Sequence, residues 1–406
     1  MKICLYCIIS ALLIIVFGCA GSGKNTSDSK PDAVLPDIPD ELKPAYQKLS
    51  EEGESNKVLN LMRLGIKAFQ IGQLKESEKA FDQALLEIER VYADSEQAAG
   101  ARSMWAEEGR KIFKGEPYER AMTYYYRGLL YILEKDYENA RASFRGGILQ
   151  DAFAEEEQNR CDFALMLYLS GWCSQRIDDE ILTKAAFEEL KSLRADVAVP
   201  ESSDNFLLIV ETGTSPRKVG DGIGNYQLKF RHGKKFTEKK VKHSIGTVQN
   251  KPMYLMEDIF FQASSRGGRQ FDYILNGKAS FQQKTSETGA VLSDIGTGTM
   301  VVSSLASGSS KLQGGLQGAA AGLGLIGVVS QIAASKVETA ADIRYWDNLP
   351  DGVHIASCHL DPGEYELTLD FSDEKDNALP ALKKNVKVVI PENEPKLLWL
   401  RSAEER

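Results

Sequence analysis

A chain of 406 residues with 49 Lys and Arg against 58 Asp and Glu carries a formal charge of −9, which excludes a nucleic-acid-binding surface spread over the whole molecule. Its 43% hydrophobic and 26% charged residues are those of a folded globular protein, long enough for roughly two or three cores. Of six cysteines, Cys4 and Cys7 lie in the first ten residues, and the remainder form neither a disulfide framework nor a metal-ligand spacing.

In chain order, residues 1–18 read as a signal peptide, with Lys2 followed by an apolar run from Ile3 to Phe17. The run is too short and wrongly flanked for a durable transmembrane helix. Its end, Val16-Phe17-Gly18-Cys19, resembles a bacterial lipobox. That resemblance implies cleavage before Cys19, diacylation of its thiol (palmitate-type chains) and acylation of the new amine. Ala20 after the cysteine, by resemblance to enterobacterial sorting, implies the outer membrane where the host has one. Residues 19–39, rich in Gly, Ser, Asp and Pro, read as a flexible tether. Asp40 suits an N-cap for the first helix.

Residues 40–197 read as a helical domain. Within Ala121–Leu149, Tyr124, Gly128, Tyr131, Ala140 and Phe144 fall at the spacings of a tetratricopeptide repeat (TPR), in which small residues let two antiparallel helices approach and aromatic rings fill between them. Leu61, Leu64, Gly65, Gly72, Phe81 and Ala84 repeat the pattern upstream, with Ser77 in place of the usual alanine. Gly171 and Phe187 keep the same Gly-to-Phe offset downstream. Asp94–Phe113 reads as an additional helix between the first two units. Offsets carried over from such arrays put Met62, Tyr125, Tyr168 and Trp172 on a concave face, with Arg176 beside it. That list is rich in the residues enriched at interface centres and gives a candidate partner-binding groove. The alternative is that a neighbouring helix, such as Asp94–Phe113, fills the groove and makes these residues core.

Residues 198–205 read as a linker, and 206–406 as a β-rich domain. Phe206–Val210 is an apolar run of buried-strand type, and Tyr226–Phe230, Tyr365–Phe371 and Val386–Ile390 alternate with a period of two. Asp361-Pro362-Gly363 marks a tight turn after a strand at Val353–Leu360, and Leu397–Leu400 closes the set. The expected fold class is α+β and multidomain: a TPR-like helical array, then an antiparallel β-domain packed as a sandwich with a Gly-rich helical insertion at 289–337. Gly314, Gly318 and Gly322 recur there at every fourth position, a glycine zipper suited to helix packing and self-association; insertion of 312–335 into a membrane is the weaker alternative. Lys229, Arg231, Lys234, Lys235, Lys239, Lys240 and Lys242 cluster in a presumed strand pair with only Glu238 between them, a candidate polyanion-binding patch or a solvated edge. Asp342, Arg344 and Trp346 would line one face of a strand as a cross-strand anchor. His354 and His359 would face opposite sides of a strand, which argues against a shared metal. No catalytic, cofactor-binding or metal-binding motif emerges.

Four patches carry a wider resemblance: Gly115-Glu-Pro-Tyr-Glu-Arg120, Asp136-Tyr-Glu-Asn-Ala140, Arg266-Gly-Gly-Arg269 with Ile274–Ala279, and Ala341–Pro350. On these the chain resembles a family of bacterial lipoproteins that joins a TPR-like half to a β-rich half. The resemblance implies a lipid-anchored location in the cell envelope and no particular reaction. The leading expectation is a non-enzymatic scaffold that holds other envelope proteins on its repeat surface. A module binding an anionic cell-wall or surface polymer is second, and an enzyme with an unrecognised site third.

Overall fold

Three antiparallel helical hairpins follow one another along the first half. The computed structural model describes residues 38–93, 112–151, 162–221, 227–234, 237–266 and 342–402. The first hairpin is α1 (Lys43–Gln70) with α2 (Leu74–Ala93), the second α3 (Pro117–Leu133) with α4 (Tyr137–Asp151), and the third α5 (Ala164–Arg176) with α6 (Glu180–Leu193). Each is built on one contact. A methyl group on Gly65, Gly128 or Gly171 would come within 2.6, 2.3 or 2.2 Å of the Phe81, Phe144 or Phe187 ring, so the ring of the second helix lies directly on the backbone of the first. Seven residues after each of these glycines comes a left-handed residue, Gly72, Lys135 and Asp178. The next amide in each case reaches back to a helix carbonyl, Gln73 to Ala68, Asp136 to Tyr131 and Asp179 to Ser174, which closes the helix end and turns the chain. Ser77 keeps its place by donating its buried hydroxyl to the Gly65 carbonyl at 2.8 Å.

The helix start differs from expectation. Asp40–Leu42 is a 3-10 turn, and α1 begins at Lys43 with Leu42, not Asp40, as its N-cap. Helix α1 is also broken at Gly53, whose φ of 64° and ψ of −160° only glycine adopts cheaply. The expected helix at 94–113 lies mostly outside the described residues.

The described residues of the second half form two four-stranded sheets and a hairpin. One sheet has the order β10 (Lys396–Arg401), β1 (Phe206–Thr212), β7 (Gly352–Cys358), β6 (Tyr254–Asp258). The other has the order β5 (Val248–Pro252), β4 (Lys240–Ile245), β8 (Gly363–Ser372), β9 (Lys384–Ile390), and β2 (Arg217–Asp221) pairs with β3 (Gln227–Arg231). Pairing is antiparallel except between β1 and β10, which run parallel, so the β half is mixed and not wholly antiparallel. A helix α7 (Ile259–Arg266) follows β6.

Strand β1 explains how the halves meet. All seven of its residues are buried. Leu207 and Ile209 join one core with Tyr125, Tyr126, Trp172 and other helical residues. Phe206, Leu208 and Val210 join the other core with Leu367, Leu369 and Phe371 of β8. The β1 sheet is therefore the middle of three layers, helices on one face and the second sheet on the other. Residues 198–205, expected as a linker, hold no helix or strand; the larger core includes residues on both sides of them, and the residues described from Glu41 onward make one compact unit.

Candidate functional site

Two of the sequence patches meet in space where the inner helices face the β half. Glu116 caps α3 in a reciprocal capping box: its amide donates to Glu119 Oε2 at 2.6 Å, while Pro117 takes the first helical turn. The other oxygen of Glu119 accepts the Trp346 amide at 2.6 Å. Lys218 of β2 pairs with Glu116, and Arg120 donates to the Gly115 carbonyl at 2.8 Å and to Gln150 Oε1 at 2.7 Å. Glu116, Glu119, Arg120, Lys218 and Trp346 are all buried. Burial pushes the Glu119 carboxyl up to about 7, with Lys218 opposing and Glu116 adding. Burial works to lower the Lys218 ammonium, but Glu116 and Glu119 outweigh it and raise it.

Asp342, Arg344 and Trp346, expected on one face of a strand, lie outside both sheets, in a strap Asp342–Pro350 that turns at Asp347–Asn348. Asp342 braces Arg344 at 2.7 Å, and Arg344 donates to the Ser55 carbonyl at 3.0 Å and to Asn56 Oδ1 at 2.7 Å, just past the break in α1. Trp346 is fully buried, with its ring 5.9 Å from Tyr126 and 6.3 Å from Phe81. Its carbonyl accepts Ser215 Oγ at 2.7 Å. Asp347 pairs with Arg63 at 2.6 Å, and Asn348 donates to the Arg63 carbonyl at 3.1 Å. The expected cross-strand anchor is absent: Arg344 and Trp346 lie in no strand and bond to α1, to α3 and to Ser215 between β1 and β2.

A second polar knot lies on β1. Glu211, 1% exposed, accepts from Tyr125 and Tyr126 hydroxyls at 3.2 and 2.9 Å, from Trp399 Nε1 at 2.8 Å, and pairs with Arg401 at 3.2 Å. Burial raises its carboxyl, against Arg401 and these donors. A third knot joins Glu257 of β6 to Gln262 of α7, Asp162 and the Leu165 amide.

The candidate groove is corrected by this arrangement. Met62, Tyr125, Tyr168 and Trp172 are at most 2% exposed, because the middle sheet and the strap cover the inner helices. Tyr168 donates to Ser357 Oγ at 3.1 Å, and Ser357 in turn to Asp204 at 2.7 Å. Arg176 is half-buried; it stacks 4.4 Å over Trp172 and donates to the Ser202 carbonyl at 3.3 Å. These residues are core and interface of one chain. The alternative expected a neighbouring helix in the groove; the cover is instead the middle sheet and the strap.

The lysine patch is corrected as well. Lys229 and Arg231 lie on β3, which pairs with β2, whereas Lys240 and Lys242 lie on β4 in a different sheet. Lys234 is exposed in the intervening loop; Lys235 lies outside the described residues. Lys239 pairs with Asp351 at 3.3 Å, Lys240 with Asp376 at 2.7 Å, and Lys242 sits opposite Asp370. Glu238 turns inward to the Gly213 amide and the Ser402 hydroxyl. Acids therefore stand among these lysines in space, although the local sequence lacks them.

His354 is buried beside Thr212 Oγ1, 3.2 Å away, and burial pushes its imidazole down to about 3; His359 is exposed near Asp361. Among the described residues, no group of three or more His, Cys, Asp and Glu side chains is placed to hold a metal ion, and no helix is long and apolar enough to cross a membrane. Cys19, Arg266–Arg269 with Ile274–Ala279, and Gly314, Gly318 and Gly322 fall outside the residues whose side chains are described. Lys218, Glu211, Arg401, Glu257 and Gln262 were not singled out from sequence, and Glu119 only as a member of the Gly115–Arg120 patch. One signal was available: Glu211 closes the apolar run Phe206–Val210, where a carboxylate must find partners. Compared with family models, curated proteins and solved structures, the chain matches none.

Proposed function

We propose that this is a lipid-anchored, non-enzymatic interaction protein of the cell envelope, held through Cys19 and sorted to the outer membrane in a host that has one. Its helical half is a TPR-type array, a reading supported by the glycine, phenylalanine and left-handed residue that recur at fixed offsets in all three hairpins. The observation that carries the interaction role is the strap. A segment outside both sheets lies on the inner helices through side-chain-to-backbone bonds and one inserted indole, the manner in which helical arrays hold peptides. Here the ligand is the chain's own Asp342–Pro350. The inner face is thus used in cis to fix the β half, and an envelope partner meets the outer helices, where Leu86 on α2 and Ile181 on α6 are 63% and 81% exposed. The regions around Gly314, Gly318 and Gly322 would serve self-association.

Site-specific photocrosslinking in cells tests this reading. Crosslinkers at Leu86 and Ile181 are expected to capture the same envelope protein, and one at Trp172 none. Capture from Trp172 alone would mean that the inner face opens to partners in the cell. In the same strain, Cys19→Ser should move the protein out of the membrane fraction, and acylated, membrane-bound Cys19→Ser protein would overturn the anchor.

A further inference from the structure

Helix α1 is one element in two pieces. Gly53 turns the arm Lys43–Glu52 back beside the rest of the helix. Asn60 therefore reaches the Lys48 carbonyl at 3.4 Å, although a straight helix would hold the two residues about 18 Å apart. Leu49 of the arm packs on the larger core, and the Tyr46 hydroxyl donates to Glu76 of α2. The arm ends in Glu52, one oxygen of which accepts the side-chain amide nitrogens of Asn56 and Asn60, both at 2.9 Å. The amide oxygens of the same two residues serve the strap. Asn56 Oδ1 accepts from Arg344 at 2.7 Å, and Asn60 Oδ1 accepts at 3.1 Å from Arg63, whose Nε holds Asp347 at 2.6 Å. Each asparagine thus has a carboxylate at its nitrogen and a guanidinium at its oxygen, and a flipped amide would lose both bonds at once. Charges of opposite sign at the two ends polarise the amide in one sense and strengthen both bonds. The two rows reach the strap on either side of the buried Trp346.

We propose that the arm is a release for the strap: while Glu52 is docked, Asn56 and Asn60 hold Arg344 and Asp347 in place, and undocking the arm loosens the strap from α1 and frees Trp346. The coupling runs through a contiguous row of hydrogen bonds, with no gap to bridge by inference. Burial works to raise the Glu52 carboxyl, but the two asparagine bonds, with Lys48 and Arg63 nearby, outweigh it and lower it. The arm therefore brings a full negative charge to the network at neutral pH. It is also the first helix of the described chain after the segment 19–39, so whatever engages the protein from that side meets Glu52 before it meets the strap. This deepens the reading of the strap as a ligand held in cis, by giving that ligand a control. The experiment reads arm and strap directly and needs no envelope partner, so its failure and the failure of that reading are separate results.

Hydrogen exchange of the full chain at neutral pH reads both ends of the relay. The Arg344 and Trp346 amides, bonded to Asp342 Oδ1 at 3.0 Å and Glu119 Oε1 at 2.6 Å, report the strap. Glu52→Ala is expected to speed their exchange by about tenfold or more, since two hydrogen bonds to a charged group are lost, and to leave the β8–β9 ladder unchanged. Coupling is reciprocal, so Arg344→Ala must speed exchange in the arm. Gly53→Ala loosens the arm without touching either asparagine. Its methyl group meets nothing within 4 Å, so only the left-handed backbone is penalised, and strap exchange should rise together with arm exchange. Wild-type strap exchange in either arm variant overturns the proposal, and so does an arm that Arg344→Ala leaves unmoved. Should Glu52→Ala speed exchange throughout the chain, the urea unfolding of Glu52→Ala, Arg344→Ala and the double variant decides: a smaller loss in the double variant than the two single losses together supports the relay, and additive losses overturn it.

Discussion

The two four-stranded sheets use the same charged residue types for opposite ends. In the sheet around β1, charge is interior: Glu211 and Glu257 are about 1% exposed, and each bridges to the helices. In the sheet around β8, burial alternates along the strand, Leu367, Leu369 and Phe371 face the core with Lys384 opposite Leu369 on an edge strand, and the paired charges lie on the outer face. There Lys242 stands opposite Asp370 and Glu366 opposite Lys387, while Lys383 reaches Asp370 at 3.0 Å. A middle layer has no solvated side, so its polar groups must be directional and fully partnered. An outer layer can leave its charges to water, where each pair contributes little. Position in the stack, more than residue type, decides what a charge does.

The largest effect should come from breaking a middle-layer pair. Arg401, 8% exposed at its side chain, faces a Glu211 side chain with no exposure at all. Arg401→Ala strands that carboxylate with only neutral donors, and the expected loss is about 3–5 kcal/mol in unfolding free energy, read from the urea midpoint at constant slope. The comparison sharpens with the double variant Glu211→Gln, Arg401→Met, which removes both charges and keeps bulk; it should recover most of the loss. Equal losses in single and double variants would mean that packing around β1, and not charge pairing, holds the layer.

How much of this was legible depended on sequence distance. The period-two strands at Tyr365–Phe371 and Val386–Ile390 and the Gly/Phe recurrences are local signals, and each has its element in the fold, whereas Asp361–Gly363 gives only a bend at Pro362 where the chain passes from one sheet to the other. Strands β2, β5 and β6 carry no such signal, since Arg217–Asp221 and Val248–Pro252 are mostly polar and the β6 bulge breaks alternation. The layering itself was hidden. Tyr126 and Glu211 are 85 residues apart, and Glu119 and Trp346 are 227 apart, so nothing local announces either bond. An aromatic-rich helix face reads the same whether its cover is a partner or the chain's own sheet.

The local signals make a test of intermediate size. Gly128→Ala would bring a methyl carbon to 2.3 Å from Phe144 Cε1, far inside contact distance, so the second hairpin must open or the ring must leave its place. Overpacking of this kind costs about 1–3 kcal/mol. Gly65→Ala and Gly171→Ala, at 2.6 and 2.2 Å from their rings, should fall in the same range if the three hairpins are equivalent units. Thermal melts of the three variants decide this; one neutral substitution would remove that hairpin from the set.

The smallest effect belongs to the outer sheet, and its smallness is the point. Lys240 pairs with Asp376 at 2.7 Å, a distance as short as several of the buried bonds, yet the two side chains keep 46% and 67% of their exposure. Water screens the pair, and holding two flexible side chains together costs entropy that offsets most of the attraction. Lys240→Ala is therefore expected to change stability by no more than about 0.5 kcal/mol, and raising the salt concentration should shrink even that difference. Lys218→Ala is the matched contrast, a lysine 5% exposed and paired with Glu116 in the interior. It leaves a buried carboxylate uncompensated, and its cost should be several-fold larger and insensitive to salt. Similar costs for the two lysines would mean that depth in the stack does not set the value of a charge, and the contrast between the sheets would fail.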